Sequence, residues 1–97
     1  MQLYGILRRN GFTSVEDLKE AAQRSTAAGD APGSGVRWIR SYVLGEESGE
    51  VGTVCIYEAD SPEAIHAHAA AAVLPVDEII PVMDTVVVRP DPVTTAA

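Results

Sequence analysis

Several things are scarce in this 97-residue chain, and each shortage removes a class of answer. There is one cysteine, Cys55, which excludes an internal disulfide framework and a metal site built from cysteine alone. Basic residues are few: 7 Lys+Arg stand against 14 Asp+Glu, a formal net charge of -7. With no basic cluster, that sign opposes nucleic-acid phosphates and anionic membrane surfaces. No apolar run approaches the ~20 residues of a membrane span, and the opening MQLYGILRRNGF lacks the long apolar stretch of a signal peptide. The expectation is a soluble, cytoplasmic protein whose partners include neither nucleic acid nor membrane. Aromatic residues make up only 5%, so Trp38, Tyr4, Tyr42, Tyr57 and Phe12 each carry unusual weight.

What is present reads as one α+β domain over residues 1–88, with an extended or disordered C-terminal tail over 89–97. Leu3 to Arg8 is a short strand candidate, ended by the turn dipeptide Asn10-Gly11. Thr13-Ser14-Val15-Glu16 gives a helix start in which the threonine hydroxyl caps and Glu16 reaches back. Val15, Leu18, Ala22 and Ser25 then recur at helical spacing as a narrow inward stripe. The helix dissolves into the glycine- and proline-rich loop AAGDAPGSG. Val36–Leu44 and Val51–Ala59 are β-rich runs joined by the acidic turn GEESGE, the pattern of an antiparallel hairpin. Ser61-Pro62-Glu63 opens a second helix with a serine cap and proline where no donor is needed, and Pro75 marks its end. Glu78–Val88 is a fourth strand, with Pro81 pointing to an edge position or a bulge. The order β-α-β-β-α-β predicts a ferredoxin-like sandwich, a four-stranded antiparallel sheet with both helices on one face.

Such a sheet leaves its other face uncovered. Side chains alternate along a strand, so Trp38, Arg40 and Tyr42 fall on one side of the second strand and Ile39, Ser41 and Val43 on the other. In the third strand Thr53, Cys55 and Tyr57 oppose Val54 and Ile56. If the helices take the aliphatic side, then Trp38, Arg40, Tyr42, Thr53, Cys55 and Tyr57 share the open face, extended by Tyr4, Ile6 and Arg8. Aromatics, one guanidinium, phenols and a thiol suit a small-molecule pocket. They equally suit a dimer interface, where Trp, Tyr and Arg are enriched. For Cys55 the plain alternative to reactivity is a small buried hydrophobe.

His66 and His68 both lie on the second helix, but residues two apart diverge by about 200°, so one ion does not readily take both. With Ile65 centred inward, His68 sits at the nearer margin and His66 at the farther. A satisfied boundary histidine is the plain alternative for each. A metal site would borrow Glu58, Asp60, Asp77 or a second subunit, and would suit nickel, manganese or zinc.

The segments WIRSYV, TVCIYEADSPEAI and AVLPVDEI, in that order and spacing, resemble a family of small bacterial ferredoxin-like proteins of uncharacterised function. Some members are described as nickel-binding or nickel-responsive. The resemblance runs from Tyr4 to about Val88. It implies a homodimer and nickel or another divalent transition metal as cofactor. Relatives often carry Glu-Arg where this chain has Leu7-Arg8, and tend to have glycine before Leu-Pro where it has Val73; many place histidine or another residue at Arg40. Three functions follow as expectations: a metal-binding homodimer with His66 and His68, a small-molecule binder or enzyme using the sheet face, and an interaction module without a site.

Overall fold

The computed structural model describes residues 1–92. Six elements follow in the order β1 (Gln2–Phe12), α1 (Val15–Asp30), β2 (Val36–Gly45), β3 (Val51–Ala59), α2 (Pro62–Ala72) and β4 (Glu78–Pro81). The strands form one antiparallel sheet, ordered β2-β3-β1-β4. This is the ferredoxin-like arrangement that the element order predicts.

Local chemistry sets the helix ends. Ser14, not Thr13, caps α1, its side chain accepting from the Asp17 amide. The Asp17 carboxylate reaches back to Thr13, so the reciprocal cap lies one residue later than the spacing suggests. Ser61 caps α2 by accepting from the Ala64 amide. At the far end of α2, Val73 adopts φ 56° and ψ 57°, the left-handed conformation usually left to glycine. The amides of Val73 and Leu74 close back onto the carbonyls of Ala70 and Ala69. A β-branched residue there is strained, at a cost of about 1–2 kcal/mol. Arg24 on α1 donates to the Ala72 carbonyl at 2.8 Å, giving the end of α2 a cation that its own last turn lacks.

Two irregularities decide which side chains meet. In β1 the pairing jumps from Arg8 opposite Thr53 to Phe12 opposite Val51, so Arg9, Asn10 and Gly11 bulge. Glu46, from the β2–β3 turn, grips this bulge. Its carboxylate accepts from the Arg9 guanidinium at 2.9 Å and from the Asn10 amide at 2.6 Å. Arg9 and Asn10 together hold the Glu46 carboxyl below its usual range. In β2, Trp38 lies opposite Tyr57 and Arg40 opposite Ile56, which leaves Ile39 as an extra residue.

That second bulge overturns the simple alternation. Directly opposed residues share a face, so Trp38 belongs with Tyr57, and Ser41 with Cys55, while Arg40 and Tyr42 turn to the other side. The assignment of faces is also inverted. Tyr4, Ile6, Cys55, Tyr57, Val36, Ala59 and Ile65 form the buried core under the helices, and Val54 and Ile56 lie on the face away from them. The helices do not need aliphatic partners because their buried residues are mostly small. Ala21 and Ser25 on α1, and Ala69 and Ala72 on α2, leave space for large sheet side chains.

β4 is an edge strand and ends at Pro81, seven residues short of the expected Val88. From Val82, whose amide still bonds Leu3, the chain leaves the sheet edge and crosses the outer face toward β2. There Asp91 meets Arg40 and Tyr42. Of the tail expected over 89–97, residues 93–97 lie outside the described ones. Among the described residues, no helix is long and apolar enough to cross a membrane.

Candidate functional site

Tyr57 is the side chain around which the inner face assembles. It is 1% exposed and meets one residue from each of four other elements. Its ring stacks on Trp38 of β2 at 6.1 Å and 15°, and tilts against His68 of α2 at 5.4 Å. The Arg8 guanidinium of β1 lies over it at 6.0 Å. Its hydroxyl shares a 2.8 Å hydrogen bond with the Ser25 hydroxyl of α1. Burial pushes the phenol's pKa up, and the Ser25 bond offsets part of that rise.

Beside Tyr57 a cavity of about 500 Å³ opens between α1 and the inner face. That volume is typical of small-molecule sites, which span about 300–1,000 Å³. The α1 stripe of Val15, Leu18, Ala22 and Ser25 forms the roof, and Trp38, Cys55 and Tyr57 form much of the floor. The hollow lies where the helix presents the short side chains of Ala21 and Ala22 to the sheet, beside the point where Ser25 meets Tyr57. The lining is mainly apolar. Its only charged members are two cations, Arg8 and Lys19, although acids outnumber bases two to one in the chain.

Arg8 is the unusual one. It is 2% exposed, and Nη1 donates to the Pro75 carbonyl at 3.3 Å. Nη2 is closed off from solvent and has no hydrogen-bond partner. No carboxylate lies within ion-pair distance of it among the described residues. A buried cation in that condition is costly, because desolvation is not repaid by a counter-charge.

Of the pocket residues expected from sequence, Trp38, Cys55 and Tyr57 line this cavity together. Arg40 and Tyr42 do not, since the Ile39 bulge puts them on the outer face. There Arg40 pairs with Asp91 at 2.8 Å, and the Tyr42 hydroxyl donates to the same carboxylate. The Cys55 thiol is buried and donates to the Thr53 hydroxyl at 3.4 Å. Arg8 enters the sequence reading only as an extension of the face containing Cys55 and Tyr57. It does share that face, with Arg8 opposite Thr53 in the register. Ala22 and Ser25, the small members of the α1 stripe, are the sequence feature that points to large side chains beneath the helix, but nothing in the sequence singles out Arg8.

His66 and His68 diverge as helical geometry requires. His66 is exposed, and His68 is buried with Nε2 donating to the Ser25 carbonyl at 3.0 Å. Nδ1 of His68 is buried without a partner. Two of the three carboxylates proposed to assist them are engaged elsewhere: Glu58 pairs with Arg37 at 3.1 Å, and Asp77 accepts from the Arg9 amide, while the exposed Asp60 side chain makes no ion pair or hydrogen bond among the described residues. No group of three His, Cys, Asp or Glu side chains is placed to hold a metal among the described residues. The donors among the described residues of one chain therefore do not fit nickel.

No curated protein matches the sequence. The crystal structure of SCO4226 from Streptomyces coelicolor A3(2) resembles this one with a TM-score of 0.70 at 21% identity, covering 87% of this chain and 99% of that one. This likeness shows the shared fold. Residues 4–82 match the family described as nickel responsive protein, SCO4226-like, and with so much of its length matched the chain belongs to that family.

Proposed function

We propose that the protein binds a small organic molecule in the cavity between α1 and the sheet. The observation that carries this reading is the cavity itself: about 500 Å³, apolar-walled, with a few polar groups fixed around it. The chain's single tryptophan, Trp38, forms part of its wall and reports on occupancy. Titration with the neutral apolar dye N-phenyl-1-naphthylamine should quench Trp38 by energy transfer. Ala22→Phe, which fills the roof, should abolish the quenching while leaving the circular dichroism unchanged. No quenching of the native protein, or equal quenching of the filled variant, counts against the reading.

A homodimer is the second reading, favoured by the exposed apolar side chains Ile39, Tyr42 and Ile80 on β2 and β4. Pairing two copies would also double a donor set to which each chain contributes an exposed His66, which is the arrangement this chain would need to carry the family's nickel response. Light scattering and calorimetry with nickel on tag-free protein test both parts. A monomeric mass, or heat unchanged in His66→Ala and His68→Ala, argues against them.

A further inference from the structure

The proposed cavity has a chemistry of its own. Acids exceed bases by 14 to 7 over the chain, yet no Asp or Glu lines it, and both charged residues that do are cations. Lys19 is exposed on α1, while Arg8 is buried on β1. The second hollow of the molecule, about 330 Å³ near Met1, carries both Asp30 and Arg37 and shows no such bias.

Every other arginine that the structure pairs has a carboxylate: Arg9 has Glu46, Arg37 has Glu58 and Arg40 has Asp91. Arg24 donates to the Ala72 carbonyl. Arg8 is the most deeply buried charged group in the core and has one carbonyl, one aromatic face and an unpartnered Nη2. A planar guanidinium offers two parallel donors in the geometry that a carboxylate accepts. The apolar surfaces of Phe12, Leu18, Val43 and Leu74 around it suit a hydrocarbon body and offer nothing to a polyanion.

We infer that the cavity takes a monocarboxylate with an apolar acyl or aryl body, and that Arg8 anchors its acid group. This rests on the proposed binding role of the same cavity. Because Nη2 is shielded, the acid meets it through a turn of the guanidinium, whose side chain already forms part of the wall. Lys19 contributes attraction at the surface, weaker because it is solvated.

The test is calorimetry with decanoate and 1-decanol, both below micelle-forming concentration, on the native protein, Arg8→Met and Lys19→Met. A charge-assisted bond to a buried arginine should favour decanoate over decanol by about tenfold or more in the native protein. Arg8→Met should abolish that preference while still binding decanol. Lys19→Met should reduce it by less than about threefold. Decanol binding as tightly as decanoate to the native protein overturns the carboxylate assignment and leaves the cavity reading standing. A preference that survives in Arg8→Met overturns the role of Arg8. Failure of both probes, together with failure of the neutral dye, removes the binding reading itself. The comparison of the two probes on native protein decides the ligand class even if Arg8→Met does not fold.

Discussion

The two faces of the sheet carry almost the same parts and use them in opposite ways. Each has an arginine close to a tyrosine: Arg8 with Tyr57 on the inner face, Arg40 with Tyr42 on the outer. On the outer face the pair is about half exposed, and the chain's own Asp91 satisfies both groups. On the inner face Tyr57 finds Ser25, but Arg8 finds no acid. The outer cluster is a solvated clasp for the crossing segment that follows β4. The inner cluster holds an uncompensated charge beside a cavity, which is a stability cost with a use only if something anionic arrives. Residue type alone does not separate a clasp from a site; the counter-charge does.

The strongest way to break the inner arrangement is at the bulge that positions Arg8. A side chain added at Gly52 would lie 2.8 Å from the Arg8 carbonyl and 2.6 Å from the Glu46 carboxylate. The backbone oxygen cannot step aside without shifting β1, so Gly52→Ala should cost about 2–3 kcal/mol, read as a lower urea midpoint. Next comes the direct comparison of the two arginines. Arg8→Met should raise stability by about 1–2 kcal/mol in the absence of ligand, because an unpaired buried charge is replaced by an apolar chain. Arg40→Met should lower it only slightly, because its ion pair with Asp91 is exposed and screened. Paired urea curves check both. Equal effects would mean that the faces do not differ as described.

Local chemistry makes some features of the fold legible in the sequence and hides others. The order of elements, the Ser61 cap and the β2–β3 hairpin were all legible, because each has a local cause in turn residues, caps or β-branched runs. The α1 stripe of Val15, Leu18, Ala22 and Ser25 was legible too, and all four line the cavity. The Ile39 bulge was not. WIRSYV contains no glycine or proline to announce an extra residue, and a slip of one reverses every later side chain. Inversion of the faces came from expecting aliphatics beneath the helices, when the small residues of α1 call for large aromatics. The fourth strand was overextended because Val86, Val87 and Val88 look β-forming, although Pro81 ends the pairing and these valines are left exposed.

Tyr57 gives the inner face a pH signature. Its folded pKa is raised by burial above the ordinary 10.0. The unfolded chain therefore ionises first as pH rises, and the stability associated with Tyr57 is fully present below pH about 10 and lost on going above it. Tyr57→Phe should remove this alkaline loss and, through the orphaned Ser25 hydroxyl, cost about 1 kcal/mol at neutral pH. Urea midpoints measured from pH 7 to 11 check the sign. A slope unchanged in the variant would show that Tyr57 is not its source.

The smallest expected effect tests whether the two faces are independent. Asp91 is 52% exposed and its partner Arg40 53%, so the bridge between them is screened and the stability change of Asp91→Asn should stay below about 0.5 kcal/mol. The local consequence should be larger than the global one. Asp91 is where the segment after Val82 is tied to β2, and Met83, Val86, Val87 and Val88 along it are already exposed. Limited proteolysis should therefore cut this segment sooner in Asp91→Asn than in the native protein. Decanoate affinity, set by Arg8 on the opposite side of the sheet, should not change. A loss of decanoate binding in Asp91→Asn would show that the outer clasp holds the inner face in shape, and that the sheet transmits between its two sides.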